Sequence, residues 1–94
     1  MTIGDLCEFK VDFSDADFWL VRKGSENVVG SPTKEFSPEH IGVKVTNPNI
    51  DAGYLYYYFM FLQQKGAFVM LSKGTLRLKN IRISDIKNIP VVMK

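Results

Sequence analysis

NPNIDAGYLYYYFMFLQQKG, residues 47–66, decides what kind of domain this chain builds. Asn47-Pro48 stops whatever strand precedes it, because proline donates no backbone hydrogen bond and restricts the residue before it. Asp51 stands where a helix N-cap belongs, with Asn49 as second choice. Gly66 supplies the left-handed stop at the other end. Between them runs Leu55-Tyr56-Tyr57-Tyr58-Phe59-Met60-Phe61-Leu62, apolar on nearly every side. Aromatics also favour strands, but the length of the run and its two caps predict a helix, about residues 51–65 with its cap. A helix without a polar face is expected to be buried on several sides.

Upstream, the patterns are those of strands. Residues 3–13 set Cys7, Phe9, Val11 and Phe13 against Leu6, Glu8, Lys10 and Asp12, so one face should be buried. Residues 14–17 form a polar turn, and DFWLVRKG (17–24) reads as one short buried strand ending at Gly24. Residues 25–38 read as a hairpin followed by an irregular loop. HIGVKVTNP (40–48) alternates most clearly, with Ile41, Val43 and Val45 on one face. Downstream of Gly66, AFVML predicts a short apolar strand, then a Ser-Lys-Gly turn and alternation through Leu76, Leu78 and Ile81. Ser84 is placed to cap a helical turn over 85–88, and Pro90 forces extended backbone into a last strand at Val91-Val92. The expected fold class is α+β: a small, mainly-β single domain over 1–94, one main aromatic helix, and a short C-terminal helical turn.

Charge is distributed unevenly along this frame. Residues 1–47 carry five basic and eight acidic side chains; residues 48–94 carry seven basic and two acidic. The net +2 therefore conceals a cationic second half. The natural partner of such a surface is a polyanion. No run is long enough to span a bilayer, which needs about 20 apolar residues, and no basic-then-apolar leader opens the chain. A cytoplasmic protein with no membrane association is expected. Cys7 stands alone, so no internal disulfide can form.

Catalytic and metal chemistry find few candidates. Nucleophilic catalysis needs an activated nucleophile and a base, yet His40 is the single histidine and Cys7 the single cysteine, each on or next to a predicted strand. A zinc site needs about four closely spaced ligands. Asp5, Glu8, Asp12, Asp15 and Asp17 read as a solvated acidic face rather than a paired-carboxylate site. No phosphate-cradling glycine motif of full length occurs. The expectation is a non-enzyme with no catalytic residues, no metal and no cofactor.

Two short segments share a different character. Arg22-Lys23-Gly24-Ser25 and Lys73-Gly74-Thr75 each follow an apolar run and bring cation, glycine and hydroxyl together. Glycine lets backbone approach a ligand closely, and Lys or Arg beside Ser or Thr makes standard phosphate contacts. Arg77, Lys79 and Arg82 follow closely. The tyrosines at 54, 56, 57 and 58 could stack bases, but Leu55, Tyr58, Phe59 and Leu62 form a core face, with the remaining rings buried and hydroxyls exposed; one or two exposed rings could instead mark a self-association face. Trp19 is expected in the core.

In order, these features resemble a reduced, free-standing target-recognition domain of the type I restriction-modification DNA specificity subunit family. TIGDLCEF (2–9) is similar to the opening segment of that family. DFWLVRKGS (17–25) with VVG (28–30) resembles its strand leading into a glycine loop. NIDAGYLYYYF (49–59) resembles its helix start, and GTLRLKNIRISDIKNIPVV (74–92) its closing pattern. The resemblance implies a small, mainly-β domain that reads a short duplex sequence for an attached methyltransferase or nuclease. It sets Gly74-Thr75, Lys73, Arg77 and residues 22–25 against DNA. Two departures bear on function. The recognition loops are short, so sequence specificity should be weak. Only Met93-Lys94 follow Val92, so the spacer helix that docks a methyltransferase is not expected. A free-standing form suits a phage or mobile-element gene, acting in the host cytoplasm.

The expected function is thus a non-catalytic duplex-DNA-binding module. Its interface is Arg22, Lys23, Ser25, Asn27, Lys34, Lys73, Gly74, Thr75, Arg77, Lys79 and Arg82, with Thr33 and Asn80 also within reach of base edges. The alternative is a phage or mobile-element interaction factor that binds a host, defence or restriction-modification protein through its acidic half and aromatic helix. A homodimer suits either, because symmetric pairing doubles a small site.

Overall fold

A computed structural model describes residues 1–75 and 77–91. Its central element is a four-stranded antiparallel sheet, ordered β1-β4-β2-β3 in space. The strands are β1 (Cys7–Val11), β2 (Phe18–Leu20), β3 (Pro32–Thr33) and β4 (Ile41–Val45). Register pairs Phe9 with Val43 and Val43 with Phe18, so these three apolar side chains form one row on the inner face. Ile41 likewise lies between Val11 and Leu20. The alternation legible in residues 7–11 and 41–45 therefore points at one shared core.

Since β1 and β2 both pair with β4, the six residues between them must cross the outer face of the sheet. They do so over Gly42. A Cβ there would lie 2.5 Å from the Cβ of Phe13 and 3.0 Å from that of Ala16. Trp19 Nε1 donates to the Phe13 carbonyl at 2.8 Å, and Asp17 Oδ2 accepts from the Val45 amide at 2.8 Å. Trp19 is buried, as its sequence setting predicted.

Helix α1 (Ala52–Gln64) covers the inner face. Asp51 is its N-cap and accepts from the Gly53 amide at 2.7 Å, and Gly66 follows in the left-handed region at φ 81. Phe59 is the centre of an aromatic cluster, edge-on to Phe9 and Phe18 at 6.5 and 5.7 Å and stacked with Phe68 at 5.9 Å. The expected burial on several sides is corrected. Only Leu55 and Phe59 are fully enclosed, while Tyr54, Tyr57 and Phe61 are 57%, 66% and 51% exposed. One sheet can cover only one side of a helix.

The downstream half departs further from expectation. AFVML is not a strand but a second helix, α2 (Ala67–Leu71), folded back on α1. Five apolar residues carry too little periodicity to separate strand from helix. What decides is Phe68, which inserts against Phe59 and the bare backbone of Gly30, where a Cβ would meet the Phe68 ring at 2.4 Å. DFWLVRKG is also not one strand. After β2 the chain bends at Val21, whose amide and carbonyl bond to Ser31 and Gly30, and the remainder enters a different sheet. Helix α3 covers Ile83–Lys87, two residues earlier than the expected turn, and Ser84 lies inside it rather than capping it. The N-cap position is Arg82, whose guanidinium reaches forward to Asp85. Residues 2 and 90 form an antiparallel bridge, closing the domain with Ile3, Ile81 and Ile86 buried beneath. The expectations for Leu76 and for a strand through Val92 fall outside the described residues. The result is a small α+β domain in which helix and strand take nearly equal shares of the described chain. No helix among the described residues is long and apolar enough to cross a membrane.

Candidate nucleic-acid interface

The two cation-glycine segments that the sequence sets fifty residues apart are two edges of one small sheet. Strands β5 (Lys73–Gly74) and β6 (Lys79–Asn80) form a hairpin, and Lys23–Gly24, an additional two-residue strand between β2 and β3, pairs with the free side of β6. Lys23, Asn80 and Lys73 therefore lie directly opposite one another in one row, and Gly24, Lys79 and Gly74 in the next. Side chains of one row share a face of the sheet, and successive rows alternate. One face thus carries lysine, asparagine, lysine. On the other, Lys79 stands between two residues with no side chain.

Local chemistry explains the hairpin. Gly74 has φ 110, and a Cβ there would lie 2.3 Å from the Leu78 carbonyl oxygen, so only glycine fits. Thr75 Oγ1 accepts from the Leu78 amide at 3.2 Å and holds the turn. Every described residue over 73–78 is exposed, including Arg77 and Leu78. The Ile81 amide donates to the Arg22 carbonyl at 3.0 Å and fastens the third strand. Among the described residues Lys23, Lys73, Arg77 and Lys79 enter no ion pair.

Other expected contact residues lie elsewhere or are engaged. Arg22 donates through Nε to the Glu39 carbonyl at 3.1 Å. Arg82 grips Asp85 through two nitrogens, at 3.1 and 3.4 Å, so its charge is matched locally. Lys34 is not beside the small sheet: it sits over the Tyr56 ring, 5.2 Å from its centre, by the start of α1. The Asn27 carbonyl accepts from Gln63 Nε2 at 2.9 Å, which joins it to the end of α1 beside an open cleft. Ser25 contributes its carbonyl to the following turn, accepting from Val28 and Val29. Thr33 Oγ1 accepts from the Glu35 amide.

Three of the five acids of the acidic face are engaged within the fold, and Glu8 and Asp12 are exposed. Asp5 accepts from the Thr2 amide at 2.9 Å, and that hydrogen bond holds its carboxyl below the usual carboxylate range. Asp15 pairs with Lys44 at 2.9 Å, which raises the pKa of the lysine, and Asp17 is bonded to β4. Cys7 is buried in the core, and burial, with a smaller contribution from the Asp17 charge, pushes its thiol up to about 12. A thiol so held is not a nucleophile at neutral pH. His40 caps the loop before β4, its amide donating to the Ser37 carbonyl. No three His, Cys, Asp or Glu side chains among the described residues gather as metal ligands.

What residue-by-residue reading understated is how much of α1 stays uncovered. Tyr54 and Tyr57 expose their rings as well as their hydroxyls, with Phe61 alongside. The signal was available: Asp51, Tyr54, Tyr58, Phe61 and Lys65 follow one another at alternating steps of three and four, a heptad seam. Compared with family models, curated proteins and solved structures, the chain matches none significantly.

Proposed function

We propose that this protein is a duplex-DNA-binding module, with the three-stranded sheet at Lys23, Lys73 and Lys79 as its contact surface. The observation that carries the reading is the convergence of both cation-glycine segments on one strand, β6. A major groove admits a two-stranded ribbon, and the β5–β6 hairpin is one, with Arg77 and Leu78 exposed near its tip. A ribbon in a groove has phosphates on both sides, which gives a use to cations on both faces of the sheet. Asn80, held between two lysines, is the residue able to read a base edge, since an amide pairs bidentately with adenine. The reading keeps the resemblance to a restriction-modification target-recognition domain as its rationale, and weak sequence preference follows from so small a surface. No catalytic group is assigned. The interaction-factor reading keeps fewer free acids, because Asp5, Asp15 and Asp17 are engaged within the fold while Glu8 and Asp12 stay exposed.

The test is an anisotropy titration of a mixed-sequence duplex at low salt, with Lys23→Ala/Lys73→Ala beside the parent protein. Both lysines are exposed, so the variant should fold normally. Binding that weakens in the variant supports the reading. Absence of binding by the parent at about 50 mM salt overturns it.

A further inference from the structure

One flank of α1, beside its core face, carries an ordered line of charge and aromatic side chains. Asp51, Tyr54, Tyr58, Phe61 and Lys65 form a single seam along the helix, at the spacing that keeps one line of side chains facing a partner helix. The core side of the same helix, Leu55 and Phe59, is already occupied by the sheet, and Tyr58 packs partly against that core, so the seam runs along its margin with Tyr54 and Phe61 outward. The seam is apolar in its middle, negative at its first residue and positive at its last. Tyr54 and Tyr58 stack at 6.4 Å with their rings 5° from parallel, and the Lys65 ammonium lies along the seam, 5.5 Å from the Phe61 ring centre.

We infer that two copies of this chain associate through α1, antiparallel, about a two-fold axis at Tyr58. The residue numbers show why the partner is a second copy. An axis at 58 sets Asp51 opposite Lys65 of the other copy and Tyr54 beside its Phe61. A two-fold contact must be self-complementary, and this seam is so in charge and in register. A parallel pairing would instead set like charges together at both ends. Asp51 Oδ1 is committed to the Gly53 amide, and its second oxygen is left for the lysine.

The contact is small. The two outward aromatics of the seam, Tyr54 and Phe61, are each just over half exposed, and a whole aromatic side chain buries roughly 150–250 Å². The aromatic area is therefore a few hundred Å² per copy, below the roughly 800 Å² of a standard interface. The dimer should accordingly be a transient one, filling over roughly 10 µM to 1 mM.

Sedimentation equilibrium across that range, on the intact chain, reads the association. The parent protein should show a monomer–dimer equilibrium. Asp51→Asn keeps the helix cap but removes the charge, and it should weaken the dimer several-fold, as should Lys65→Gln. The geometry is read separately by oxidative cross-linking. Tyr58→Cys should form a disulfide with its counterpart across the axis, whereas Gln64→Cys, exposed but off the seam, should not. Cys7 is buried and gives no background. A chain that stays monomeric to about 1 mM, or equal cross-linking at 58 and 64, overturns the inference. Neither outcome bears on DNA binding, which uses a different surface.

Discussion

Salt dependence gives the DNA reading its sharpest numerical consequence. Lys23, Lys73, Arg77 and Lys79 are the cations of the small sheet and its hairpin that no acid within the described residues pairs. Each phosphate neutralised contributes about −0.9 to the slope of log K against log salt, so these four imply a slope of about −3.6. Between about 50 and 200 mM salt, affinity should then fall roughly 150-fold. Lys23→Ala/Lys73→Ala leaves two contacts, a slope of about −1.8, and a fall of roughly 12-fold over the same interval. Lys34→Ala is the internal control: its ammonium lies over Tyr56, away from the sheet, and the slope should not change. Fluorescence anisotropy at four or more salt concentrations measures all three slopes. A parent slope near zero, or a Lys34→Ala effect equal to that of the double variant, would refute the assignment.

Four other expectations concern the fold beneath that surface. Phe59→Ala removes the ring that joins Phe9, Phe18 and Phe68; urea denaturation should show a loss of about 3–5 kcal/mol, a large part of a small domain's stability. Gly74→Ala places a Cβ against the Leu78 carbonyl; it should abolish DNA binding while shifting the urea midpoint little, since the hairpin is exposed, and a large midpoint shift with binding intact would contradict this. Cys7 should resist alkylation at pH 8 in the native state and react promptly in urea, because its thiol is held up at about 12 by burial. Asp5 has a folded pKa below its unfolded one, so its contribution to stability is present above the unfolded value and is lost as pH falls through the folded one; Asp5→Asn should flatten that part of the acid-unfolding profile, and an unchanged profile would count against it.

Some of this architecture was legible because its causes are local. The Asp51 cap bonds to an amide two residues away, and Gly66 requires only its own left-handed backbone. The apolar face of β4 was legible at Ile41 and Val43, as was that of β1 at Cys7 and Phe9, although Gly42 on the other face is buried too, beneath Phe13 and Ala16. The burial of Trp19 and the left-handed stop at Gly66 belong to this class too. The kinship in character between the two cation-glycine segments was also visible, since composition alone carries it.

That these segments form one surface is a different matter. It depends on Lys23 and Lys73 pairing with the same residue, Asn80, across a sheet whose strands are two residues long. Nothing in so short a strand announces its partner. Chain order likewise could not reveal that Lys34 goes to Tyr56, whereas the pairing of Arg82 with Asp85, three residues on, is local. The sequence alone determined the α+β class, the caps of α1, the cationic second half and the scarcity of catalytic groups, because each is written in neighbouring residues or in composition. Tertiary structure alone decided that AFVML is a helix, that DFWLVRKG divides between two sheets, and that α1 leaves an aromatic side uncovered. In the first two cases the deciding contacts, Phe68 against Gly30 and Lys23 opposite Asn80, join residues tens of positions apart, where only packing connects cause to result.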